Sequence, residues 1–224
     1  MAANATIEAS DIFSLGGSFI PQNSNSSIDM LHAKMKKADG DYSKFSLVFN
    51  QQNNVTCAYK FNADTALGAA LPEVGEIKNG YVVTEISVDS TFDDYPTINI
   101  TGHAHASNTD VETNTYAISA TIQTALTGAI GAYDLLSLAD GSYTCTTAST
   151  YTLGVNHVDD ACGAGDHWYG TNIEGMETVN ITYIGQISEA TISSGYTITS
   201  FTLDDSNEAH DTSSITGEKL VLRS

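Results

Sequence analysis

Between Lys78 and Lys219 the chain has no lysine and no arginine. The same stretch, residues 79 to 218, carries nineteen aspartates and glutamates, as many as the whole formal charge of -19 on the 224-residue chain. So negative a charge repels phosphate backbones and anionic lipid surfaces, which argues against base readout and stable nucleic-acid binding. Charged residues as a class are scarce, at 16% where about a quarter is usual. The three cysteines, Cys57, Cys145 and Cys162, are too few and too irregularly spaced for a disulfide framework or a four-cysteine zinc site, though they leave a Cys145–Cys162 bridge open. No run approaches eighteen apolar residues, and the opening MAANATIEASDIF has neither a basic n-region nor an apolar h-region. Neither a membrane span nor a secretion signal is expected. GxSxG, Walker A, HExxH and a strand-following GxGxxG are all missing, and no cysteine sits in a basic setting, so nucleophilic catalysis has no support.

Uncharged polar residues fill the gap. Threonine and tyrosine favour strands, while Asn, Gly and Ser favour turns, so the composition predicts an all-β protein with many hairpins. Residues 1–41 read as a polar arm or linker. Within it Ile28, Leu31, Met35 and Ala38 have helical spacing, and Lys34, Lys36, Lys37 and nearby Lys44 make half of the chain's eight bases. KFSLVF, a QQNN turn and VTCAYKF read as a hairpin. DTALGAALPEVGE is a second helical candidate, stopped early by Pro72. GYVVTEISV, TINITGHAHA and NTYAISATIQT then read as strands, and METVNITYIG, GYTITSFTL and SITGEKLVL close the chain.

A duplication organises these strands. GYVVTEISVDSTFDDYPTINITG at 80–102 aligns without a gap to GYTITSFTLDDSNEAHDTSSITG at 195–217, with eight of twenty-three positions identical. VTCAYKF at 55 and VNITYIG at 179 occupy equivalent places upstream. The reading is therefore an antiparallel β-sandwich or barrel with internal duplication and one or two short helices. Its parts are an arm at 1–41, a first β unit at 42–106, a hairpin-bearing connector at 107–142, and a second β unit at 143–224.

Candidate sites are few. His103 and His105, two apart in a strand, leave one face together, as a metal-ligand pair would, and His157, Asp159, Asp160 or His167 would complete the set. GHAHASN lacks the further ligands of an HxHxDH metallohydrolase, so two imidazoles on a solvated strand are the plainer reading. Asp159, Asp160 and Asp166, or Asp204, Asp205 and Glu208, offer calcium-type oxygens without EF-hand spacing. Trp168 and Tyr169 make a candidate carbohydrate-stacking pair, or core or interface. The stretch from Tyr151 to Gly185 reads as two strands flanking a long acidic loop. With no base in 140 residues, its carboxylates are expected to face solvent, cations or a space kept negative. No catalytic or cofactor-binding residue is assigned, no cofactor is expected, and a metal is left undecided.

This acidic, Thr/Asn/Gly-rich, strand-dominated chain, with GDHWYGTNIEGMETVNITYIG feeding a long loop into a strand, resembles structural proteins of tailed bacteriophages, most of all tail-tube subunits. The resemblance implies an antiparallel β fold that self-assembles into stacked rings with other virion proteins in the host cytoplasm. It implies no enzyme activity, with DNA passing through the lumen rather than binding. A capsid-decoration or other virion protein, an extracellular carbohydrate-binding module using Trp168 and Tyr169, and a metal-dependent hydrolase on His103 and His105 are the competing readings. The Lys34–Lys44 segment is expected to meet the acidic body of a neighbouring copy.

Overall fold

The computed structural model describes residues 10–29, 32–40, 42–47, 52–63, 66–105, 111–112, 114–138, 145–161, 167–187, 195–205 and 210–223. Strand β1 (Phe19–Asp29) leads into β2 (His32–Lys36), β3 (Tyr42–Leu47) and β4 (Gln52–Phe61). Helix α1 (Leu67–Ala70), β5 (Ile77–Lys78), β6 (Tyr81–Thr91), β7 (Thr97–His105) and β8 (Val111–Glu112) follow. Helix α2 (Ala120–Ala125), β9 (Cys145–Ala161), β10 (His167–Ile184), β11 (Thr197–Asp204) and β12 (Thr212–Val221) complete the chain. The fold is all-β with two short helices, as the composition predicts.

One ten-stranded sheet contains everything but β2 and β3. Its order is β1-β4-β7-β6-β9-β10-β12-β11, with β5 added to β6 and β8 to β10. The order is a four-strand pattern used twice. Val55 faces Gly102 across β4 and β7 as Val179 faces Gly217 across β10 and β12, and Tyr59 faces Ile98 as Tyr183 faces Ser213. In the hairpins, Ile86 faces Ile100 as Phe201 faces Ile215. A bulge falls between Val83 and Glu85 in one and between Ile198 and Ser200 in the other. The first strands agree as well: Ser24 faces Cys57 as Ser149 faces Ile181, and each ladder slips just before the tyrosine, between Pro21 and Asn23 and between Thr182 and Tyr183. Bulges change register irreversibly along a strand, so two slips in matching places tie the units together more firmly than sequence identity does. The units join directly, because β6 pairs with β9.

Strand alternation gives this sheet two unlike faces. In β6, Ile86, Val88 and Ser90 are buried while Glu85, Ser87, Asp89 and Thr91 are half-buried or exposed. Above the buried face lies a layer of Phe13, Leu67, Val74, Ile118, Ile122, Leu126, Leu135 and Leu136 in one continuous core. Each such side chain contributes roughly 1.5–3 kcal/mol when fully buried. Both helices belong to this layer and touch at Gly68, where an added Cβ would lie 2.4 Å from the Gln123 carbonyl oxygen. Helix α1 ends at Leu71, held extended (ψ 142) because Pro72 disfavours helical backbone before it.

Four local expectations are corrected. The helical spacing of Ile28, Leu31, Met35 and Ala38 gives strands instead: among the described residues Ile28 and Asp29 end β1 and His32–Lys36 form β2, since the alternation of His32, Lys34 and Lys36 with Ala33 and Met35 suits a ladder to β3. Among the described residues the KFSLVF and VTCAYKF segments do not pair with each other: β3 pairs with β2, and β4 with β1 and β7. NTYAISATIQT is a single bridge, Tyr116 to Val74, followed by α2, because its apolar residues are needed in the covering layer. The long acidic loop after Tyr151 is largely strand, with β9 and β10 paired out to Ala161 and His167.

Candidate functional site

The uncovered face of the sheet is mostly polar, with an apolar patch at Met176 and Leu220 toward one end. Asn25, Thr56, Thr101, Glu85, Gly154, Met176 and Leu220 stand side by side across it. The next rung is Asn23, Ala58, Asn99, Ser87, Thr152, Thr178, Glu218 and Thr197. Asp89 sits near the middle, accepting hydrogen bonds from Asn99 Nδ2 at 3.1 Å and Thr150 Oγ1 at 2.8 Å. Toward one end Glu85, Gly154, Glu174, Met176 and Leu220 line an open groove of about 670 Å³. At the opposite margin Lys60 reaches over to Asp94 at 2.9 Å. That hydrogen bond, with the Tyr95 amide, holds the exposed Asp94 carboxyl below its ordinary range. Apart from Ala58, Gly154 and the exposed Met176 and Leu220, the side chains of these two rungs are hydroxyls, amides and carboxylates, not gathered at a point.

On the covered face several carboxylates turn inward, against the expectation that they must face solvent, cations or a lumen. Glu177 is fully buried and accepts from Ser119 N at 2.7 Å, Tyr151 OH at 2.8 Å and Tyr196 OH at 2.9 Å. Asp11 accepts from Tyr59 OH and Asp134 from Tyr183 OH, both at 2.8 Å. These two are the same device in each unit. Ser14 and Ser137 both have positive φ (51° and 55°), and the amides of Leu15 and Leu138 return to Asp11 and Asp134. Neutral donors therefore replace the missing bases. Burial raises the pKa of Tyr59, Tyr151, Tyr183 and Tyr196, and the adjoining carboxylates raise it further. Tyr133, pushed up to about 12 by burial, places its amide 3.3 and 3.2 Å from Ser90 and Ser149 Oγ, where β6 meets β9. The sequence carried a signal for the latches in the echo of DIFSL at Asp11 and DLLSL at Asp134.

The residues singled out by pattern fall in separate places. His103 is buried in β7, opposite Asn54 and Val82, and His105 lies two residues on, opposite Gln52. His157, Asp159 and Asp160 are in β9 and His167 in β10, on the far part of the second unit's hairpin. No ladder among the described residues links the two sets, because the β6 and β9 pairing runs only from Glu85 and Gly154 to Thr91 and Ala148. Nor do the described residues contain a cluster of three His, Cys, Asp or Glu suited to a metal ion. Trp168 and Tyr169 lie within β10, and Asp204 ends β11 beside exposed Asp205. Asp166, Glu208 and Cys162 lie outside the described residues. Cys57 is a buried free thiol and Cys145 an exposed one, so Cys145 is not bridged.

Each unit also carries an arm between its first two strands. In the first unit the arm is the β2 and β3 hairpin, holding Lys34, Lys36, Lys37 and Lys44; in the second it is the outer part of β9 and β10, holding Asp159 and Asp160. No protein-family model and no curated protein matches this chain.

Proposed function

We propose that this chain is a self-assembling structural subunit of the tail-tube type found in bacteriophage virions, forming rings whose inner wall is the uncovered polar face. One observation carries the reading: two register-matched units share one sheet whose uncovered face is mainly hydroxyl, amide and carboxylate, broken by the apolar patch at Met176 and Leu220, with no cluster of catalytic groups among the described residues. A surface of that kind suits a wall better than a pocket. Glu85, Asp89 and Glu218 keep it negative, and a negative wall lets a polyanion slide without sticking. No catalytic residue is required.

The test is the state of the purified full chain, measured by light scattering and negative-stain imaging across a concentration series. Rings or stacked tubes are the expected result, and a monomer at every concentration overturns the reading. Reversing Glu85 and Glu218 to lysine should leave rings intact and make them retain short DNA duplexes at low salt; rings that still release DNA would remove the wall from its assigned place.

A further inference from the structure

The joint between the two units is a strand pair, and the ends of the sheet are the two halves of that same joint. Inside the chain, β6 is the last strand of the first unit and β9 the first of the second, and they pair antiparallel with Ser87 opposite Thr152 and Val88 opposite Tyr151. The matched registers make β11 the counterpart of β6, and β1 the counterpart of β9. Among the described residues β1 and β11 end the sheet order, each with a neighbour on one side only. Thus β11 is a β6 without its β9, and β1 is a β9 without its β6.

Burial shows what the missing neighbour would cover. Val88 is 1% exposed beside β9, whereas its counterpart Leu203 is 45% exposed. Ile86 is fully buried and Phe201, in its place, only half-buried. On the other side Tyr151 is fully buried while Ser26, in its place, is exposed. The two ends are unlike: β1 is small and polar from Asn23 to Ser27, while β11 keeps Leu203 exposed, and a strand at the end of a sheet is a template for pairing with another chain.

We infer that β11 of one copy pairs with β1 of the next in the register of the internal joint, setting Thr202 opposite Ser27, Leu203 opposite Ser26 and Asp204 opposite Asn25. The inference rests on the self-assembly reading and names its interface. The contact is head-to-tail, so it closes into a ring if the rotation per subunit allows and runs on as a filament if not. It also orders the arms. Along the sheet, each lysine-bearing arm of one copy falls between two aspartate-bearing arms, so opposite charges steer the approach and disfavour the wrong edge.

The full chain carrying Cys145→Ser and Cys162→Ser, with Ser27→Cys and Thr202→Cys added, tests this by mild oxidation and non-reducing electrophoresis. Cys57, buried and with its thiol pKa raised chiefly by burial, stays. The expected result is a ladder of covalent oligomers. Ser27→Cys paired with Leu203→Cys, which places the thiols on opposite faces, should cross-link about tenfold less. Dimers from Thr202→Cys alone would mean two copies of β11 pair with each other and would overturn the register. Assemblies seen by light scattering without the ladder overturn this interface but not self-assembly; no assembly at any concentration overturns both.

Discussion

A carboxylate folded into an interior that lacks bases has to be met by neutral donors, and Glu177 shows how completely that can be done: two phenols and one amide within 2.9 Å. Removing the acceptor strands all three donors. Glu177→Ala is expected to cost about 3–5 kcal/mol in urea unfolding, and Tyr151→Phe, which leaves two donors, about 1.5–3 kcal/mol. Tyr151, with the two phenols Tyr59 and Tyr183 that donate to Asp11 and Asp134, makes the protein sensitive to alkali. Their folded pKa values lie above the ordinary 10.0, so their stabilisation is whole below pH 10 and is lost as pH rises through the folded values. For each of Tyr59, Tyr151 and Tyr183 the loss is about 1.4 kcal/mol per pH unit once the unfolded chain has begun to ionise. Tyrosinate absorbance followed against circular dichroism should show these groups ionising together with unfolding, not before it. The Glu177 contacts could not be read beforehand, because a buried glutamate in METVNITYIG alternates like any solvated one and only the covering layer decides which side is inside.

At the scale of elements, the GY hairpins were legible because their ladders demand the same residues twice, glycine at the turn and β-branched side chains at the core positions. The first strand of the first unit was not. Strand β1 is held by its backbone ladder to β4, so QNSNSS needs no apolar alternation and reads as linker. The arms were misjudged for the opposite reason, since a few apolar residues at helical spacing in the first outweighed the alternation that pairs β2 with β3. Helix α1 was visible in DTALGAALPEVGE; α2 was hidden among residues of good strand propensity. The crossing of α1 and α2 is set by Gly68, which leaves no space for a methyl group against the Gln123 backbone. Gly68→Ala is therefore expected to destabilise by about 1–3 kcal/mol, read as a lowered melting temperature with unchanged circular dichroism at low temperature.

For the whole molecule, a net charge of -19 opposes bringing copies together, and in the proposed assembly salt would act on this repulsion and on the attraction between unlike arms in opposite directions. At low ionic strength the Lys34, Lys36, Lys37→Glu triple variant should assemble at least about tenfold less readily than the parent, and the difference should shrink as salt shortens the Debye length to about 3 Å near 1 M. A light-scattering titration of both proteins measures it, and equal assembly at all salt concentrations would leave the arms without a role. The duplicated sheet has one more consequence. An array of single units gives every position the same surroundings, so a residue that attracts its neighbour must also be attracted by itself. Two copies of one pattern in one chain double the repeat distance while keeping the backbone lattice, and alternate sites are then free to diverge: one keeps its lysines, the other its aspartates, on a framework that cannot tell them apart.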